Sequence, residues 1–525
     1  MINYSRFTLD NGLRVVHNLD DSTAMVAVNI LYNVGSRDES PEMTGLAHLF
    51  EHLMFAGSAN IPDFDAEMER AGGINNAWTS NDFTNFYDVA PAQNVETLLW
   101  LESDRMLGLA FSDKELEVQR RVVIEEFKQT CLNRPYGDLS HKLRSLIYRE
   151  HPYRYPTIGK EVAHIEKVTE QDVRDFFYRH YAPNNAVLAI SGNISLERTK
   201  ELVQKWFGDI PRRDIPARKY LPEPPVTSPR RLEVTGNVPQ AMVVIAFPMP
   251  GYGEDGYVEC DLITDLLASG KSSRFYRNLV MGTAPIASDL AQPASLEAQE
   301  SVSSESIAGQ NSTSPAGKPL RACDIFADAD ASIMGSEEPG FLMLKARLTD
   351  SSDSTIALAE RLLLDQALRL TLPIDNVSQL TMDNGQLTIP SGTPCRDVAC
   401  HVRKPDGTPT GTPTGTPDDH KFSAEQSDFV DESIVNCPLS IDTCVTNYEL
   451  QRAINRFASD TTFSSVNYLS RAQALAMAEM HGEDINSIVP YYRTMTPERL
   501  AATARRIIDP TRACTLIYRP GSIDN

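Results

Sequence analysis

Gly45-Leu46-Ala47-His48-Leu49-Phe50-Glu51-His52-Leu53-Met54-Phe55 is the stretch on which the reading of this chain turns. It has the form H-x-x-E-H. Residues four apart share one face of an α-helix, so His48 and His52 can each turn a ring nitrogen toward one cation. Glu51 lies three residues after His48, nearly on that face, within reach of a water held by the cation. Two neutral imidazoles, a carboxylate and one open position make up a catalytic zinc site, and a neighbouring glutamate then serves as general base toward the bound water. Ser40-Pro41-Glu42 predicts the start of the helix, with a serine cap, a proline at the first helical position and an acidic first turn. Leu46, Leu49, Phe50, Leu53 and Met54 supply an apolar face, and Gly57-Ser58 a stop. An ordinary amphipathic helix with two histidines has the same letters, so support must come from elsewhere.

Before the helix, Phe7 to Leu9 and Leu13 to His17 flank Asp10-Asn11-Gly12, a hairpin signal. Ala24 to Tyr32 is an apolar run suited to an inner strand. After the helix, Asn76-Ala77-Trp78-Thr79-Ser80 and Thr84 to Val89 read as a strand pair, and residues 93–149 as mainly helical. Val168-Thr169-Glu170-Gln171 opens a capped helix to about His180, and Ala182-Pro183-Asn184-Asn185 turns into the strand Ala186 to Ser191. Strands and helices in this order predict an α+β fold.

Proline and arginine crowd residues 211–231, which read as a linker between a first half, 1–210, and a second, 232–525. Thr169 and Pro183 stand at the same offset from Thr496 and Pro510, and Ala24-Met25-Val26 matches Ala241-Met242-Val243 at a smaller offset. This predicts two homologous α/β sandwich halves, with extra residues inside the second. Two segments of biased composition, near 282–323 and 371–443, account for them. The second half's counterpart of the histidine helix, Gly256 to Ser269, contains no histidine, which predicts a non-catalytic half.

The 525 residues suffice for several domains, and 41% of them are hydrophobic. A net charge of -22 argues against nucleic acid, whose phosphates need the opposite sign, and favours basic or neutral partners such as peptides. The first residues carry no apolar signal core, no run is long enough for a membrane span, and eight cysteines lack any C-x-x-C pairing. The expectation is a cytoplasmic protein with free thiols.

A third ligand is available on the helical stretch Glu117 to Phe127. Val122, Val123 and Glu126 fall on one side, which puts Glu126 at the edge of an apolar face. Glu125 points about 100° away on ideal geometry. Spacing alone leaves open that Glu126 is merely solvated.

With His48-Leu49-Phe50-Glu51-His52 followed by Arg121-Val122-Val123-Ile124-Glu125-Glu126, the chain resembles the inverted zincins of the pitrilysin and insulin-degrading enzyme type. It is similar in particular to the smaller members related to mitochondrial processing peptidase. The resemblance extends to Ala182-Pro183-Asn184-Asn185 and Ser272-Ser273-Arg274-Phe275-Tyr276. It implies a clamshell of two halves and a zinc endopeptidase acting on short or unfolded peptides. It implies that His48, His52 and Glu126 hold Zn2+ and that Glu51 is the general base. Asn76 and Ala77 would lie on the edge strand that pairs with the substrate backbone. Two features depart from the family. Gln119 stands where a second glutamate is usual, with Glu117 as a possible substitute. Val280 and Ala287 stand where an arginine and a tyrosine are usual. A dimer with a like or related subunit that supplies the missing pair is the expectation. The alternative to an enzyme is a non-catalytic scaffold subunit of the same fold.

Overall fold

Two sheets of one design organise the chain. The computed structural model describes residues 1–110, 112–219, 221–283, 286, 320–372, 381–383, 386–388 and 444–521. Its first sheet joins β1 (Ser5–Thr8), β2 (Arg14–Leu19), β3 (Met25–Tyr32), β4 (Ile74–Thr79), β5 (Thr84–Pro91) and β6 (Ala186–Gly192) in the order β1-β2-β6-β3-β5-β4. Its second joins β7 (Arg230–Gly236), β8 (Met242–Pro248), β9 (Phe326–Met334), β10 (Phe341–Leu348) and β13 (Cys514–Pro520) in the order β7-β13-β8-β10-β9. Between β10 and β13 in sequence, β11 (Thr381–Asp383) and β12 (Gln386–Thr388) form a separate hairpin. Without β1 the two large sheets have the same order, and each has a single parallel pair, β2 with β6 and β7 with β13.

The expected duplication is visible at the residues that suggested it. Met25 and Met242 each open the strand at the middle of a sheet. In the first half the helices are α1 (Leu46–Leu53), α2 (Phe64–Arg70), α3 (Val95–Leu107), α4 (Asp113–Phe127), α5 (Leu139–Ile147), α6 (Val162–Glu166), α7 (Glu170–His180) and α8 (Leu196–Phe207). In the second they are α9 (Tyr257–Ala268), α10 (Asp353–Leu368), α11 (Asn447–Val466), α12 (Tyr468–His481), α13 (Ile488–Tyr492) and α14 (Pro497–Ile507). Thr169 caps α7 and Thr496 caps α14, each accepting a backbone N–H three residues on. Pro183 and Pro510 open matching turns before β6 and β13.

β3 is apolar apart from Asn29, which pairs with Asn85, because both of its faces are covered. Val26, Val28, Ile30 and Tyr32 pack under α1, α3, α7 and α8. Ala27 and Leu31 face the other way, with Val16, Val187 and Ala189, and are covered by Ala472, Leu475 and Ala476 of α12, which belongs to the second half. The exchange is reciprocal, since Leu143 and Ile147 of α5 cover Met242, Val244, Ala246 and Leu516 of the second sheet.

Three expectations need adjustment. The described residues of 211–229 carry no regular structure, but β7 begins at Arg230, inside the expected linker. The ends of the first expected insertion are folded: Ala322 is buried in the second core, and Ile286 N donates to Leu320 O. Residues 287–319 lie outside the described residues, as do 389–443 of the second segment. The helix of His48 starts at Leu46, not at Pro41. No helix among the described residues is long and apolar enough to cross a membrane.

Candidate metal centre

Ser40-Pro41-Glu42 does not cap α1, because the apolar period begins only at Leu46. Those residues close a turn upstream, with Met43 N donating to Ser40 O and Glu42 N to Ser40 Oγ. The helix is entered instead through Gly45 at φ 89°, where a Cβ would stand 2.9 Å from the carbonyl oxygen of Ile158. The cap is the carboxylate of Glu39. Its Oε2 accepts from Gly45 N and its Oε1 from Ala47 N, both at 2.8 Å. A carboxylate on the first amides of a short helix compensates for the missing side-chain cap.

From that start, His48 and His52 present their rings side by side, 4.9 Å apart and nearly perpendicular. α4 passes beside α1 with Leu116, Val123, Ile124 and Phe127 buried. Val122 is 45% exposed, so it is not part of the buried face as expected, and Glu126 is half-buried next to that face. Glu126 Oε2 lies 3.7 Å from Nε2 of His48 and 3.5 Å from Nε2 of His52. Glu125 points to solvent and pairs with Lys128 at 2.7 Å.

The donor set fits zinc. Ligand atoms at about 2.0–2.1 Å from a tetrahedral ion stand roughly 3.3 Å from one another, close to the separations from Glu126 to the two imidazoles. Burial pushes the pKa of His48 down, and the hydrogen bond from His52 holds Glu126 below the usual glutamate range. Both directions favour the neutral imidazole and the carboxylate that a metal needs. Among the described residues these three form the one group of histidine, cysteine and acidic side chains arranged to hold an ion.

Glu51 stands beside this group and outside it. Burial raises its pKa, while the hydroxyl of Thr79, donating to Oε2 at 2.5 Å, draws it back. Thr79 ends β4, which among the described residues pairs only with β5 and stands at the edge of the sheet. Asn76 and Ala77 lie on that edge strand, with Ala77 N donating to Asn76 Oδ1 at 2.8 Å. The resemblance singled out Asn76 and Ala77, but Thr79 and Glu39 were not anticipated. Their contacts cross a strand–helix junction and a turn, which no local pattern encodes.

Among its described residues the second half has no such centre. α9 is also entered through a left-handed glycine, Gly256 at φ 102°. With the two glycines matched, Glu259, Leu262 and Ile263 replace His48, Glu51 and His52. All three are buried, and Glu259 is held by Arg499. At the departures from the family, the described residues stand as follows. Glu117 is committed to Arg120 and Arg121, so it does not stand in for the residue replaced by Gln119. Arg274 is fully buried against Glu449, Val280 closes a turn, and Ala287 is outside the described residues.

Residues 14–161 match the family model described as Insulinase (Peptidase family M16), and residues 167–288 match the one described as Peptidase M16 inactive domain. The chain belongs to peptidase family M16. The second of these M16 models covers α9, where the donor residues are missing. Zinc protease PqqE of Helicobacter pylori is 32% identical over 279 residues, which are 52% of this chain and 63% of that protein. Mitochondrial-processing peptidase subunit beta of Saccharomyces cerevisiae is 27% identical over 221 residues, 42% of this chain and 47% of its own length. The matched stretch thus spans less than two thirds of these curated M16 relatives. The fold is that of a crystal structure of a protease from Helicobacter pylori, with a TM-score of 0.72, 20% identity and coverage of 99% of this chain and 100% of that one.

Proposed function

We propose that this chain is a zinc-dependent endopeptidase acting on short or unfolded peptides. The observation that carries the reading is the placement of Glu51 between a three-donor group and the edge strand β4. His48, His52 and Glu126 would hold the zinc, which when bound would supply Lewis-acid chemistry and acidify a water. The chain's own residues do the rest. An extended peptide adds to β4 as a further strand, its main chain replacing the Asn76 side chain as partner of the Ala77 amide. Recognition through the backbone gives little sequence preference, and the net charge of -22 favours basic peptides. Glu51 takes the proton of the attacking water and passes it to the leaving amine. Its raised pKa suits a group that must hold that proton between the two steps.

Zinc content and peptide turnover test the reading together. The parent chain should bind about one zinc, Glu126→Gln should lose it, and Glu51→Gln should keep it while losing turnover. Loss of metal in Glu51→Gln would overturn the assignment of roles. A second reading, a non-catalytic subunit that assembles with a related chain, draws on Gln119 and on Val280 at the position of the family's arginine. A zinc-free folded parent would favour it. A zinc-loaded chain that cleaves peptides only when mixed with a related subunit would instead show that the missing pair comes in trans.

A further inference from the structure

The turn that ends β4, Ser80 to Phe83, is gripped from two sides. On the first-half side, Ser36 N donates to Ser80 O, Arg37 N to Asn81 O and Asn81 Nδ2 to Ser36 Oγ. The close fit of Gly35 against Asn81 leaves no room for a side chain. On the other side stands the loop Gly335–Gly340, which joins β9 to β10 in the second half. Glu337 N donates to Asp82 Oδ2 at 3.2 Å, and Glu338 N donates to Tyr153 Oη at 3.1 Å. Tyr153 in turn donates to Asp82, whose carboxylate also holds Arg37 at 2.8 Å. The Glu337 carboxylate bonds His481 of α12 at 2.7 Å, and the His481 ring stacks on Tyr252 at 4.1 Å. Asp82, Tyr153 and Arg37 are each at most 5% exposed, so this network is a sealed junction between the halves.

The junction sits three residues from Thr79, the partner of Glu51. We infer that the second half acts through Asp82 and Tyr153 to hold the edge strand in register with Glu51, so that these two are positioning residues for substrate. The inference rests on the proposed use of β4 as the peptide-binding edge. It gives the half without donors a role: it clamps the end of the strand that the substrate extends. Among the described residues the strand has a neighbour on one side only, so its end is the part of the sheet least restrained by pairing. A buried charge network bonded to backbone amides supplies that restraint without covering the edge.

Tyr153→Phe deletes one hydroxyl and cuts both the Asp82 and the Glu338 bonds; Asp82→Asn keeps the shape and removes the charge. Hydrogen exchange of the peptide covering residues 74–83 should quicken about tenfold in each variant. KM for an unstructured peptide should rise about tenfold, with a smaller fall in kcat, since β4 binds the peptide and its Thr79 also orients Glu51. Zinc content should equal the parent's. Exchange and KM at parental values in both variants, with zinc bound, would overturn the inference. If the parent itself cleaves no peptide, the functional proposal fails, while exchange at β4 still decides whether the second half holds the strand.

Discussion

Thr79 Oγ1 donates to Glu51 Oε2 at 2.5 Å, tying the end of the edge strand to the acid of the metal helix. Substituting Thr79→Val keeps the side-chain shape and removes the donor. The Glu51 carboxylate then loses a fixed orientation worth about 1–1.5 kcal/mol. The expected result is a fall in kcat of about tenfold with zinc content unchanged, while Thr79→Ser stays near the parent. Steady-state kinetics beside metal analysis checks it; equal kcat in Val and parent would show that Glu51 is oriented by something else.

Gly45→Ala should damage the centre without touching a ligand. The residue sits at φ 89°, and a Cβ there meets Ile158 O at 2.9 Å and the Cα of Gly159 at 3.2 Å. A non-glycine residue in such a conformation costs about 1–3 kcal/mol. The predicted outcome is a lowered melting temperature together with weaker zinc retention against a chelator, because the first turn of α1 must shift. Unchanged zinc retention would mean that the helix start and the ligands move independently.

Burial pushes the Glu39 carboxyl up to about 8, against the pull of the Ala47 and Gly45 amides. In the unfolded chain the same group ionises near the ordinary glutamate value, about 4.3. Folding therefore takes up a proton between those values. The contribution of Glu39 is complete in acid and is lost as pH rises through about 8. Glutamine cannot titrate, so the stability advantage of the parent over Glu39→Gln should shrink from pH 5 to pH 8. Urea unfolding of both proteins across that range reads the slope, and a constant difference would refute the assignment.

Arg105 is enclosed in the first core. Its Nε donates to Glu102 Oε2 at 2.9 Å, and its guanidinium faces the rings of Phe55, Phe64 and Phe86. Asp88 is buried beside them, with its carboxyl pushed well up by burial. Arg105→Leu strands the Glu102 charge and should destabilise the fold by about 3–5 kcal/mol. Adding Glu102→Gln should recover part of the loss. Denaturant titration of the single and double variants measures both, and a simple sum of the two costs would rule out the pairing.

Much of this was legible in the sequence where the information is local. H-x-x-E-H encodes a shared helix face through its spacing, Asn11-Gly12 encodes a hairpin, and the paired threonines and prolines mark the duplication. The wheel around Glu126 was read less well, because adjacent valines fit either side of a helix. The neighbours of α4 bury Val123 and leave Val122 in solvent. Glu39 was illegible as a cap because its carboxylate reaches α1 across a turn that itself carries the usual helix-start residues. The crossing of α5 and α12 was illegible for another reason. An amphipathic stripe says that a helix covers something, not which sheet it covers.

That crossing has a consequence for how the chain matures. The sheet face made by Val16, Ala27, Leu31, Val187 and Ala189 is complete once Gly192 has left the ribosome, yet its cover is α12, nearly three hundred residues later. At about 5–20 residues per second, the nascent first half stands with an oily face bare for tens of seconds. A fragment ending at the linker inherits the same bare face for good, and adding the missing half as a separate chain is the way to make it soluble.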